Sequence, residues 1–168
     1  MNNTQRIAIS AIVLSAGAFV KLAVDEGYTE TAIIPTTGDR PTVGFGMTQR
    51  LDGTPVQMGD RTNPVQALQR SMAYLDKQSS QLKQCLTAPL HQAEFDTLMD
   101  FGYQYGIGTL CKSSMVARAN RGDYSGSCRA YLEYRYAAGY DCSTPGNKRC
   151  MGVWTRQQER FKKCMTVQ

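Results

Sequence analysis

The sequence predicts an α+β fold, mostly helical, with one small β-hairpin sheet near the N-terminus. Three observations carry this reading. From residue 63 to residue 105, apolar side chains recur at helical spacing. Residues 29–46 are instead dense in β-branched residues around a Gly-Asp turn. The final sixty or so residues divide into short helical segments at glycine-rich joints, with no internal repeat or low-complexity tract.

Taken in order, Ile7 to Asp25 contains no helix breaker except Gly17, which predicts one long helix ending near Glu26-Gly27. Thr29 to Thr37 and Thr42-Val43-Gly44-Phe45-Gly46 flank Gly38-Asp39-Arg40-Pro41, a hairpin pattern. Gln49 to Asp60 reads as loop and turn. Asn63-Pro64 opens a helix to about Leu82, with Asn as cap and Pro in the first turn. A central helix runs from Pro89 to about Tyr105, burying Leu90, Phe95, Leu98 and Phe101. Short helices follow at 113–120, 124–137 and 155–165.

The 168 residues are enough for one domain or two small lobes sharing a core. With 42% hydrophobic and 20% charged residues the chain is a folded protein, not a disordered one. Its net charge of +5 suits a polyanionic partner, or serves only as a solubility margin.

Ile7 to Val20 is an uncharged, largely apolar stretch, rich in Ala, Ser and Gly, between Arg6 and Lys21. A membrane span needs about twenty apolar residues, so this segment is short for one. Its length fits a signal-sequence core with Ala16-Gly17-Ala18 as cleavage site. It equally fits a weak releasable anchor, or an amphipathic helix packed on its own domain.

All six cysteines (Cys85, Cys111, Cys128, Cys142, Cys150, Cys164) lie in the second half of the chain. No CxxC pair exists, and His91 is the only histidine, so a zinc site is poorly supported. Three disulfides in an oxidising compartment such as the periplasm are the economical alternative. Cys142 and Cys150 flank Ser-Thr-Pro-Gly-Asn-Lys-Arg, a turn-forming loop that brings its ends together.

The chemistry points to Asp25-Glu26-Gly27 and the hairpin after it. A carboxylate among the carbonyl ends of a helix is disfavoured as an anion, and partial burial beside a sheet adds to this. Both properties suit a general acid for glycosidic cleavage. A polar group on the facing hairpin, Asp39 or Thr42, would handle water across the sugar ring.

Glu26-Gly27, the short hairpin and Thr42-Val43-Gly44-Phe45-Gly46 together resemble the active-site signature of phage-type lysozymes, glycoside hydrolase family 24. The resemblance continues in Phe95-Asp96-Thr97-Leu98, Phe101-Gly102-Tyr103-Gln104-Tyr105-Gly106, Lys112-Ser113-Ser114-Met115, Asn120-Arg121-Gly122-Asp123-Tyr124, Ala137-Ala138-Gly139, Gly152-Val153-Trp154-Thr155-Arg156 and Glu159-Arg160. It spans roughly residues 22 to 164, and the N-terminal segment is similar to that of lambdoid signal-arrest-release endolysins.

The resemblance implies a two-lobed fold joined by the long central helix, with an N-terminal signal-arrest-release helix over 1–24 and a lysozyme domain over 25–168. It implies a muramidase, an endolysin that hydrolyses the link between N-acetylmuramic acid and N-acetylglucosamine without metal or organic cofactor. Glu26 is carried over as general acid and Thr42 as the threonine of a Glu/Asp/Thr triad. The aspartate does not transfer, because Pro35 stands nine residues after Glu26 and Thr36 six before Thr42. Asp39 from a shifted place, or Thr36 from the family position, remains for that role.

Gln104 stands where the family often has Asn and is a candidate substrate contact. The related branch also implies Cys128–Cys164, which leaves Cys85–Cys111 beside Cys142–Cys150. Expected partners are peptidoglycan and, transiently, the inner membrane through the N-terminal segment. A monomer without nucleic acid is expected, acting in the host periplasm. The rival is a non-catalytic peptidoglycan-binding or phage structural protein that kept the fold.

The remaining candidates read as structural. Glu30 is a solvated strand residue, His91 lies in the first turn of the central helix, and Trp154 belongs to the core. Tyr131, Tyr134, Tyr136 and Tyr140 do not share one helix face.

Overall fold

The computed structural model describes residues 5–36 and 38–168. Met1 to Thr4 and Thr37, parts of the expected N-terminal segment and hairpin, lie outside the described residues. The chain forms two compact units: residues 15–79, and residues 1–14 together with 80–168.

The first unit begins with α1 (Ala16–Glu26), whose N-cap Ser15 accepts the Ala18 N–H at 3.1 Å. Strands β1 (Thr29–Ile33) and β2 (Thr42–Gly44) pair antiparallel, with Thr29 opposite Gly44 and Ile33 opposite Thr42. Ala32, Val43 and Val56 form the buried cluster beneath this hairpin. The loop after β2 returns to β1, where Ala32 N–H reaches Asp60 O at 2.8 Å and Thr62 N–H reaches Glu30 O at 2.9 Å. Next comes α2 (Pro64–Cys85), capped by Asn63, whose Oδ1 accepts the Gln66 N–H at 2.9 Å. The division between the units falls inside α2, whereas the sequence assigned the joining role to the helix ending at Tyr105.

The second unit is helical. It comprises α3 (Gln92–Tyr105), α4 (Ile107–Cys111), α5 (Ser114–Ala119), α6 (Tyr124–Arg129), a 3-10 turn over Ala130–Glu133 and α7 (Met151–Met165). Phe95, Phe101, Leu110, Met115 and Tyr131 fill its core. Phe101 stacks on Tyr105 at 4.5 Å and meets Tyr134 edge-on at 4.7 Å. Arg160 donates to Asp100 at 2.6 Å, compensating a nearly buried guanidinium. Three disulfides, Cys85–Cys111, Cys128–Cys164 and Cys142–Cys150, all lie in this unit except that Cys85 is also the last residue of α2.

Several elements differ from the sequence reading. Residues 7–15 are not helical. Ile7 pairs with Leu90 in both directions, at 2.7 and 2.9 Å, and Ala11 and Ile12 close a turn on Ala8 O. Ile12 is 1% exposed and Gln92 donates to Val13 O, so tertiary contacts have replaced the helical ladder. The central helix starts at Gln92 rather than Pro89, because the same pairing holds Leu90 extended. His91 is its N-cap rather than a first-turn residue, and its N–H is taken by the Glu94 carboxylate at 2.7 Å. The helix expected over 124–137 ends at Glu133 and gives way to β3 (Tyr136–Ala137) and β4 (Tyr140–Asp141), turned by Ala138 and Gly139 at positive φ. The last helix starts at Met151, and α4 is an additional element. Among the described residues no helix is long and apolar enough to cross a membrane.

Candidate active site

The site is built at the end of α1. A helix stop at Gly27 (φ 70°) turns the chain directly into β1 and leaves Glu26 as the last helical residue, among carbonyl ends. Asp25, its neighbour on the helix, forms an i,i+4 ion pair with Lys21 and is committed to that partner.

Opposite Glu26 lies the turn after β2. Gly46 has φ 70°, and a Cβ placed on it would stand 2.7 Å from Glu26 Oε2 and 3.7 Å from Glu26 Cβ. Only glycine allows the carboxylate this approach. Glu26 is exposed rather than partly buried, because its flanking residues Gly27 and Gly46 bring no side chain to cover it. Gly44 (φ 68°) solves a second packing problem, since its Cβ would meet Ala67 Cβ of α2 at 2.9 Å. The two glycines of the Thr42–Gly46 segment thus face different constraints: one admits a helix, the other a carboxylate.

Tyr28 and Phe45 fasten the two sides, with ring centroids 5.5 Å apart and the Tyr28 hydroxyl donating to Thr62 O at 3.3 Å. Sequence reasoning missed this pair. Its signal was an aromatic residue directly after Glu-Gly and another inside the glycine motif.

Thr42 is half-buried at the start of β2, opposite Ile33. Asp39 lies exposed in the hairpin turn, its N–H donating to Thr36 O at 2.9 Å, so the two candidates for the aspartate role occupy one turn. Glu30 is paired with Arg61 at the surface. Among the described residues no group of His, Cys, Asp and Glu is arranged to hold a metal ion.

In the other unit Gln104 is half-buried on α3, with Oε1 buried and without a hydrogen-bond partner among the described residues. Trp154 is half-buried on α7. Tyr131 is in the core and its burial pushes the phenol far above its ordinary range, while Tyr136 and Tyr140 are exposed.

The family model for phage lysozyme matches residues 23–160, taking in the helix end, the hairpin and the second unit from residue 80 into α7. The chain belongs to the phage lysozyme family. It is a glycoside hydrolase of the lysozyme type, and the non-catalytic alternative is set aside on that ground. Among solved structures it is similar to an endolysin from Escherichia coli O157:H7 phage FAHEc1, at 25% identity over 92% of this chain and 94% of that one, with a TM-score of 0.76. A P22 lysozyme variant is similar at 19% identity, 92% and 99% coverage and a TM-score of 0.73. So is the muramidase domain of SpmX from Asticaccaulis excentricus, at 18%, 91% and 97%, and 0.72. Among the curated proteins none matches the chain. In this lysozyme the Glu26-Gly27 step and the Thr42–Gly46 segment meet, and the described hairpin turn carries its carboxylate at Asp39.

Proposed function

We propose that this lysozyme is an endolysin that cleaves the β-1,4 bond between N-acetylmuramic acid and N-acetylglucosamine in bacterial peptidoglycan and so lyses the host. The observation that carries the reading is the Glu26 carboxylate held over Gly46 at the C-terminal end of α1, inside the segment matched to the family. In the proposed reaction Glu26 gives its proton to the glycosidic oxygen as the bond to the anomeric carbon breaks. A water supplies the hydroxyl to that carbon, and its proton passes to a hairpin residue. Asp39 is proposed for the water, with Thr42 orienting it, and Gln104 for a substrate contact.

The same reading places the enzyme in the periplasm as a monomer, with residues 1–24 acting first as a releasable membrane anchor for the body formed by 25–168. Supporting this, residues 7–14 pack within the second unit, through the Ile7–Leu90 pair and buried Ile12, instead of continuing α1, so the stretch has a place off the membrane.

The decisive experiment is digestion of purified peptidoglycan by wild-type and Glu26→Gln protein, with mass spectrometry of the fragments. Wild type is expected to release muropeptides with N-acetylmuramic acid at the reducing end. Glu26→Gln should be slower by at least about a hundredfold. Products with N-acetylglucosamine at the reducing end, or an active Glu26→Gln protein, would refute the assignment.

A further inference from the structure

Beyond the Glu26 site, the 15–79 unit holds a second concavity that the hydrolytic reading does not use. It is a cavity of about 120 Å³ between the loop after β2 and one face of α2, lined by Met47, Arg50, Arg70, Tyr74 and Lys77 among others. Three cationic side chains around so small a space repel one another unless an anion joins them.

The protein supplies only part of that anion. Arg50 is satisfied: its Nε and Nη2 donate to Asp60 at 2.7 and 2.8 Å. Asp60 also takes the Gln57 N–H at 3.0 Å, so its carboxylate has three donors already. The charge of Arg70 bears on Asp60 as well, but its Nε is buried and makes no hydrogen bond among the described residues. Lys77 lines the cavity, is exposed, and has no ion pair among the described residues. A buried donor on a charged group is rarely left unpaired, and the shortfall marks a place for an external acceptor.

The position of the cavity says what that acceptor belongs to. Met47 forms its wall, and the residue before it, Gly46, carries the Glu26 carboxylate on its face. Consecutive Cα atoms are only about 3.8 Å apart. A glycan seated on Glu26 therefore passes beside the cavity, and the anionic groups of peptidoglycan nearest its glycan are the carboxylates of the stem peptides.

We propose that the pocket formed by Arg70, Lys77 and Tyr74 binds a carboxylate of the peptidoglycan stem peptide, making this lysozyme selective for peptide-bearing over naked glycan. This rests on the muramidase reading above. Arg70 and Lys77 are specificity residues that act on substrate binding and not on the bond-breaking step.

The test pairs binding with kinetics. An acetylated synthetic stem peptide, the same peptide with every carboxyl amidated, and inorganic phosphate are titrated into full-length protein by calorimetry. Wild type is expected to bind the free-acid peptide and not the amidated one, and Arg70→Gln and Lys77→Gln to weaken that binding about tenfold each, the scale of one charge-assisted contact. On peptide-bearing glycan the same variants should raise KM with kcat unchanged, and on glycan stripped by an amidase they should change neither. Lys77 is at the surface, so its variant stays informative if Arg70→Gln does not fold. Equal binding of acid and amidated peptides, phosphate binding without peptide binding, or unchanged KM in both variants would overturn the proposal. If wild type binds the acid peptide but cleaves neither glycan, the muramidase reading fails while the pocket stands.

Discussion

The carboxylate of Glu26 lies against the bare Cα face of Gly46, 2.7 Å from where a Cβ would stand. That approach sets a limit on the motif that composition alone does not reveal. Gly46→Ala is expected to push the carboxylate aside and to strain a backbone at φ 70°, cutting kcat at least about tenfold. Gly44→Ala should act differently, since its Cβ would strike Ala67 Cβ at 2.9 Å and wedge β2 from α2. Its main effect is a lower melting temperature, a cost of about 1–3 kcal/mol for overpacking. Thermal melts and kcat for both variants check the contrast, and Gly46→Ala with wild-type kcat would refute it.

Asp39 and Thr36 share one turn, joined by the Asp39 N–H to Thr36 O bond. A carboxylate can accept a proton from water and a threonine hydroxyl at neutral pH does so poorly. Asp39→Asn is therefore expected to lower kcat about a hundredfold, and Thr36→Ala to leave it within a factor of a few. Single-turnover hydrolysis decides between them, and the reverse order would move the water-handling role to Thr36.

The helix from Asn63-Pro64 and the hairpin were legible in the sequence because their signals are local: a cap, a ring with fixed φ, β-branched residues flanking a turn. The N-terminal break was not. Nothing within Ile7 to Val20 forbids a helix, and the segment opens only because Ile7 finds a partner in Leu90, more than eighty residues away. The β3–β4 hairpin was hidden for the opposite reason, since Ala138 at φ 48° is a poor turn residue and the stretch reads as helix. At the site, Glu26 and Thr42 could be named from pattern. The Gly46 contact depends on how α1 meets the β2 turn, which no local rule supplies.

The disulfides should differ in their contribution. Cys128 and Cys164 are 36 residues apart and Cys142 and Cys150 only 8, so the first removes more freedom from the unfolded chain. Loop-closure entropy makes the difference on the order of 1 kcal/mol, within a usual total of about 2–4 kcal/mol per bridge. Paired serine variants, unfolded in guanidinium, are expected to rank in that order. A larger loss from Cys142→Ser/Cys150→Ser would refute it.

Acid should loosen the 15–79 unit through Asp60. Its hydrogen bonds from Arg50 and from the Gln57 N–H lower its pKa from 3.8 to about 2. A carboxylate depressed in the folded state stabilises above its unfolded pKa, and that stability drains as pH falls through the folded value. The expected window is thus between about pH 4 and pH 2. Asp60→Asn should be less stable than wild type at neutral pH and should flatten the decline across that window. Parallel acid titrations followed by circular dichroism measure it, and identical slopes would exclude Asp60 as the source.

Arg6 is the clasp of the N-terminal segment. It pairs with Glu94, whose side chain is 4% exposed, with Nη2 to Oε1 at 3.1 Å, and its guanidinium lies 3.6 Å over the Tyr124 ring. It also donates to Gln168 Oε1 at 3.2 Å, so one side chain ties the segment to α3, α6 and the C-terminus. Arg6→Ala leaves Glu94 with the His91 N–H at 2.7 Å and Gln168 Nε2 at 2.8 Å but without a cation. Losing a charge-assisted contact to a nearly buried carboxylate costs about 1.5–3 kcal/mol. Because residues 7–14 are held mainly by the Ile7–Leu90 pair and Ile12, that loss should appear first as local opening rather than global unfolding. Amide exchange at Ile7 and Leu90 is expected to quicken in Arg6→Ala while the α5 and α6 amides keep their protection. Exchange that rises uniformly across the second unit would show that Arg6 supports the whole core and is not a clasp for the segment.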